Sequence, residues 1–115
     1  MRKIVFRGKA LSNSEWVYGY LFKIWERSYI MWGTTNDIPN SIEVDTKTCS
    51  QYTGLEDIYD NKIYEGDIGK HKTSPYEIVI FKDGAFRIGN HTLLNRIESF
   101  EVIGNIYENP ELVKL

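Results

Sequence analysis

Trp16, Tyr18, Tyr20 and Phe22 alternate with Val17, Gly19 and Leu21 along "EWVYGYLF", and this two-residue repeat predicts a strand with its rings on one face. The polar "ERS" at 26–28 separates "LFKIW" from "YIMW" and predicts a hairpin that sets Tyr29 and Trp32 across from that strand. Upstream, Ile4 to Arg7 reads as a short strand and "SNSE" at 12–15 as a turn, because Ser and Asn side chains bond readily to nearby backbone. Downstream, "GTTNDIPN" at 33–40 is the stretch richest in turn formers and is expected to be a mobile loop.

Ile42–Val44 and Thr48–Tyr52 are β-prone pieces around a tight "DTK" turn. In "YEIVIFKDGAFRIG", Asp83-Gly84 between two apolar runs is the pair that a two-residue type I′ hairpin prefers. Such a loop sets the register. Phe81 faces Phe86 and Val79 faces Ile88 on one side, and Ile80 faces Arg87 on the other. In "HTLLNRIESF" the period changes: Leu93, Leu94, Ile97 and Phe100 recur at three and four residues, predicting one short helix near 92–100 with Thr92 as N-cap. "EVIGNIY" returns to strand, and "NPEL" starts a terminal helical turn with Asn109 as cap and Pro110 at its first position. About eight short strands and one helix predict a mainly β fold, a small antiparallel barrel.

The chain has 115 residues, enough for one ordinary domain that buries a core without metal or disulfide staples. Aromatic residues make up 14% of it, which favours strands, whose pleated half-buried surfaces suit broad rings. A formal charge of −2 argues against binding nucleic acid through a concentrated basic patch. Cys49 is the only cysteine, so no intramolecular disulfide forms and a reducing cytoplasm is the expected setting. The start, "MRKIVFRGKA", has only Ile4, Val5 and Phe6 between its charges, short of a signal peptide, and no stretch is long enough for a membrane helix.

Candidate chemistry concentrates in "QYTGLEDIYDNKIYEGDI", residues 51–68. Its acids, Glu56, Asp57, Asp60, Glu65 and Asp67, lack the alternating spacing and central glycine of a calcium loop. The simpler reading is structural: Asp57 and Asp60 serve turns, and "YEGD" is a strand entry in which Gly66 permits a bend or bulge. Gly54 and Gly66 lack the spacing of a phosphate loop. His71, His91 and Cys49 form no recognised metal-ligand spacing, and Cys49 has no evident orienting partner for nucleophilic chemistry. No cofactor, metal or catalytic residue is expected.

"QYTGLEDIYDNKIYEGDI", "DGAF" at 83–86, "EVIGNIYENPEL" at 101–112 and the early "FRGKALSNSEWVYGYL" together resemble, in the same order, the YopX-like family. The motif carries Tyr52, Gly54, Asp57, Glu65, Gly66 and Asp67, with Asp83 and Gly84 in the hairpin. The resemblance implies a phage or prophage protein of Gram-positive bacteria with an SH3-like β-barrel. It would be a single domain over 1–115, with N-terminal strands at 1–33, a loop at 33–40 and the barrel at 41–110. Members commonly carry a "KNG"-like turn where this chain has Ile58, Tyr59 and Asp60, so an altered loop is expected at Asp60-Asn61.

Two functions fit these features. The first is a non-catalytic accessory module that binds a protein partner or a second copy of itself, with Trp16, Tyr18, Tyr20, Trp32, Lys70, Lys72 and Arg87 as candidate contact residues. The second is a nucleic-acid-binding barrel for phage replication or regulation, using stacking rings with Lys62, Lys70, Lys72 and Arg87.

Overall fold

A computed structural model describes residues 4–72 and 75–113. The chain forms two compact units, Met1–Gln51 and Tyr52–Leu115.

The first unit is an antiparallel sheet built from β1 (Phe6–Lys9), β2 (Trp16–Ile24), β3 (Arg27–Thr35) and β4 (Ile38–Val44) and the start of β5 (Ser50–Glu56), in the order β4-β3-β2-β1-β5. The alternation that predicts β2 is there, with Arg7 opposite Tyr18 and Lys9 opposite Trp16. β1 lies two residues later than the expected Ile4–Arg7, because its register on β2 brings Arg7 and Lys9 against the Trp16 ring. Ile30, Val44 and Ala10 make the apolar interior, and Gly8 is so close to Val44 that an added Cβ would lie 2.9 Å from its methyl. Ser28 is also fully buried, opposite Val44, where its hydroxyl shares a 2.8 Å hydrogen bond with Thr46.

Two expected connections in this unit are different. The β2–β3 turn is Trp25-Glu26, one residue ahead of "ERS", since Ile24 pairs with Arg27. The expected mobile loop at 33–40 is a hairpin: β3 runs to Thr35, and Asn36 and Asp37, at φ 51° and 65°, reverse the chain into β4. Asn and Asp tolerate this left-handed backbone, so the turn formers mark a two-residue turn and the threonines beside them extend the strand. Pro39 is accommodated because, apart from the isolated bridge of Val44 to Ala10, β4 pairs with β3 alone and its other edge is free of a ladder at Pro39.

In the second unit the later part of β5 pairs with β6 (Lys62–Tyr64). A five-stranded antiparallel sheet follows, in the order β10-β9-β8-β7-β11, from β7 (Asp67–His71), β8 (Glu77–Lys82), β9 (Ala85–Ile88), β10 (His91–Thr92) and β11 (Phe100–Asn105). Its core is Ile63, Val79, Ile88, Leu93 and Phe100, with Leu55, Phe86, Ile97 and Val102 packed against it. The β8–β9 hairpin has the expected register, Phe81 on Phe86, Ile80 on Arg87 and Val79 on Ile88, with Asp83 and Gly84 at φ 53° and 79°. α1 (Leu93–Arg96) starts where Thr92 Oγ accepts from Asn95 N, then tightens to a 3₁₀ turn at Ile97–Ser99. Phe100, expected at the helix end, begins β11 instead. The terminal turn is 3₁₀ over Pro110–Val113, and Asn109 Oδ1 accepts from Asn105 N at 3.3 Å.

The barrel expectation is corrected. The five-stranded sheet ends on β10 and β11, which do not pair with each other, and β4 leaves the other sheet open as well. The fold is therefore mainly β with open sheets and one short helix. No helix among the described residues is long and apolar enough to cross a membrane.

Candidate interaction surface

Burial follows one side of the first unit's sheet and leaves the ring-bearing side wet. Tyr18, Tyr20 and Phe22 are 48%, 63% and 37% exposed, whereas Ile30 and Val44 on the other side are nearly inaccessible. Cross-strand pairing brings Tyr29 and Met31 onto the same face: Phe22 pairs with Tyr29 and Tyr20 with Met31. The Phe22 and Tyr29 rings stack at 5.2 Å and 12°. At the hairpin tip Trp25 is 96% exposed and held at φ 57°, an uncommon backbone for a bulky residue. Trp25 shapes an open depression with Ile24, Glu26, Arg27 and Tyr29.

Trp16 ends the stripe in a different setting. The Arg7 guanidinium lies 4.4 Å and the Lys9 ammonium 5.3 Å from its ring centroid, and Arg7 Nε donates to the buried Ser50 Oγ at 3.1 Å. Trp32 does not join the face. It is exposed at the bulge between Met31 and Gly33, where the alternation of β3 is interrupted.

The candidate cations lie in the second unit, each with its own neighbours. Lys70 is opposite Glu101 in the β7–β11 pair. Lys62 is opposite Glu56, with its ammonium 5.8 Å from the Tyr52 ring. Arg87 donates from Nε to the Lys82 carbonyl at 3.0 Å. Lys72 is exposed just beyond β7.

The acid-rich stretch folds as two turns. Asp57 is buried at the first, where Oδ1 accepts from Tyr59 N and Asn61 N and Oδ2 from Asn61 Nδ2 and Val102 N. Burial alone would raise its pKa, but the bonds from Val102, Asn61 and Tyr59 outweigh that and hold the carboxyl below its ordinary value. Asp60 occupies the left-handed position, φ 65°, a backbone that glycine adopts without strain. The second turn is Glu65-Gly66: Gly66 at φ 90° lies against Tyr107, and buried Asp67 accepts from Tyr64 N at 2.8 Å. Tyr52 packs against Tyr64, and Gly54 sits in β5 at φ 88°. Among the described residues no three His, Cys, Asp or Glu side chains converge as a metal site. Cys49 is half-buried, and that burial pushes its thiol pKa up, which disfavours the reactive thiolate.

Sequence spacing missed one grouping. Ser99 Oγ is hydrogen-bonded to His71 Nδ1, and Arg96 Nη2 lies 2.8 Å from His91 Nε2. Pairing of β7 with β11 and the return of the chain through β10 and α1 create this proximity, so only the topology reveals it.

The model of the YopX protein family matches residues 5–114. The chain belongs to the YopX family. Its fold is similar to the crystal structure of protein EF1440 from Enterococcus faecalis, with TM-score 0.66, 23% identity and coverage of 99% of this YopX chain and 100% of the other. No curated protein matches it. The likeness to EF1440 concerns fold, and the stretches that carry the YopX resemblance are those whose turns and hairpin are described above.

Proposed function

We propose that this YopX protein is a non-catalytic accessory module of a phage or prophage, acting in the host cytoplasm, which binds a protein surface through the ring-bearing face of its first unit. The carrying observation is the run of exposed rings at Tyr18, Tyr20 and Phe22, continued to the hairpin tip by Trp25. A contiguous apolar patch of this kind is costly to leave in water and is characteristic of contact surfaces. Complete burial of one such side chain contributes about 1.5–3 kcal/mol. Several together offset a good part of the roughly 4–15 kcal/mol that association costs. Tyr and Trp also lose little conformational freedom on binding, since each has two side-chain torsions.

A photo-crosslinking amino acid at position 20, compared with one at the comparably accessible Tyr59 of the second unit, tests this in phage-bearing cells. A protein adduct from position 20 only, abolished by Trp25→Ser, supports the reading, and its mass tells a second copy from another protein. Equal adducts from both positions, or none from position 20, oppose it.

Nucleic acid is the second reading, favoured by Lys9, whose ammonium lies 5.3 Å from the Trp16 ring near the exposed rings, while Arg7 on the same ring is itself buried. Stacking faces flanked by cations suit single strands. Binding of a thymidine oligonucleotide that weakens steeply with salt, and is lost with Tyr20→Ala, would favour this alternative.

A further inference from the structure

Four basic or imidazole side chains meet at one end of the second unit's sheet, and they come from three parts of the chain. His71 ends β7 and Lys72 follows it; His91 opens β10; Arg96 closes α1, and Ser99 follows in the 3₁₀ turn. The contacts are direct. Arg96 Nη2 lies 2.8 Å from His91 Nε2 and 3.1 Å from Nδ1, and the Ser99 hydroxyl meets His71 Nδ1 while reaching the Arg96 carbonyl at 3.5 Å. Around His71 the charged groups are Arg96, Lys72 and His91, with Glu77 of β8 as the carboxylate. Lys70 is opposite Glu101 and, by alternation along β7, points away from His71.

We propose that His71, His91, Arg96 and Ser99, with Lys72 at the rim, form a binding site for a phosphate group. A guanidinium carries a fork of donors, a hydroxyl adds one, and an imidazole adds a second N–H when protonated. A phosphate group offers strong acceptor oxygens and about one to two negative charges, according to pH and esterification, so donors approaching from separate elements suit its tetrahedral shape. The arrangement calls for an anion as the solution is acidified. A neutral His91 can accept from Arg96 through one ring nitrogen, but a protonated His91 can only donate, leaving two cations face to face. An oxyanion beside them accepts from both once the two charged groups separate. Around His71 the two fixed cations, Arg96 and Lys72, face one carboxylate, and a protonated imidazole adds to that excess of positive charge. A phosphodiester keeps its single charge, so its affinity increases as pH falls, whereas inorganic phosphate loses charge as it takes up a proton and gains less.

This site is independent of the ring-bearing face, and its ligand chemistry has two sources, free phosphate or the phosphodiester of a nucleic acid strand. Histidine ring resonances are followed by NMR on the full chain with inorganic phosphate, then with a short thymidine oligonucleotide, at about pH 5.5 and about pH 8. We expect phosphate to shift the ring resonances of both His71 and His91, and a bound phosphodiester, whose charge is constant over this range, to bind roughly tenfold more tightly at the lower pH, about 1.4 kcal/mol. Arg96→Gln should weaken binding at least as much, while Arg96→Lys, which keeps the charge and loses the fork, should fall between. Tighter, salt-sensitive binding of the oligonucleotide at the same resonances assigns the phosphodiester; binding of phosphate alone assigns the free anion. Unmoved histidines in a folded wild-type chain, or affinity undiminished in folded Arg96→Gln, would overturn the site.

Discussion

Asp57 Oδ2 accepts a 2.9 Å hydrogen bond from the backbone amide of Val102, a residue 45 positions away. The same carboxylate organises the turn at 57–61, so one side chain both shapes a local loop and ties it to β11. Asp57, read from the sequence as a turn residue, is thus occupied on both oxygens by the framework.

Removing it should be expensive. Asp57→Ala leaves the part-buried Val102 amide and the turn amides without their acceptor, and hydrogen bonds to a charged group contribute about 1.5–3 kcal/mol each. We expect a loss on the order of 3 kcal/mol, measured by urea unfolding. A loss below about 0.5 kcal/mol would mean the bonds add little to stability.

The same carboxylate sets an acid limit. Its pKa is held below the ordinary 3.8 in the folded protein, so the unfolded chain takes up a proton first as pH falls. The stability it contributes is complete above pH 3.8 and is lost as pH drops through the lower folded value. Asp57→Asn should flatten this part of the stability profile, as followed by urea midpoints across that range.

Asp60 holds φ 65° where glycine would be unstrained. Asp60→Gly should raise stability by up to about 1 kcal/mol, the usual scale of left-handed strain, offset in part by the freer unfolded chain. A raised Tm supports this. A lowered Tm would show that the Asp60 side chain supplies something its backbone angle does not reveal.

Gly69 packs under Phe100. An added Cβ would lie 2.3 Å from the Phe100 ring and 2.6 Å from the Glu101 carbonyl, and Phe100 is fully buried. Gly69→Ala should cost about 1–3 kcal/mol as an overpacking change. Combining it with Phe100→Leu should give less than the sum of the two losses, because the smaller side chain makes the room that the methyl needs.

Local rules made parts of this structure legible. Asp83-Gly84 dictates both its turn and the pairing of Phe81 with Phe86, and alternation from Trp16 to Phe22 fixes which side chains share a face. The same rules failed at Gly33–Asn40, where a list of turn formers concealed a two-residue turn with strand on either side. Closure into a barrel depends on whether edge strands meet, which residue pattern alone does not determine. The wetness of the ring face was also hidden: alternation says that two faces differ, not which one is covered. In this unit the narrow interior of Ala10, Ile30 and Val44, closed by Gly8, has no space for broad rings. The histidine and arginine grouping was invisible for a different reason, since His71 and Ser99 are 28 residues apart and meet through strand pairing.

The decisive measurement is made on one variant carrying Tyr18→Ser, Tyr20→Ser and Trp25→Ser, with urea stability and capture of the partner recovered by the position-20 crosslink measured together. Because all three side chains are exposed, we expect stability within about 1 kcal/mol of wild type and capture reduced at least about tenfold. A variant that unfolds, or a folded one that retains the partner undiminished, would contradict the assignment of this face as the contact surface.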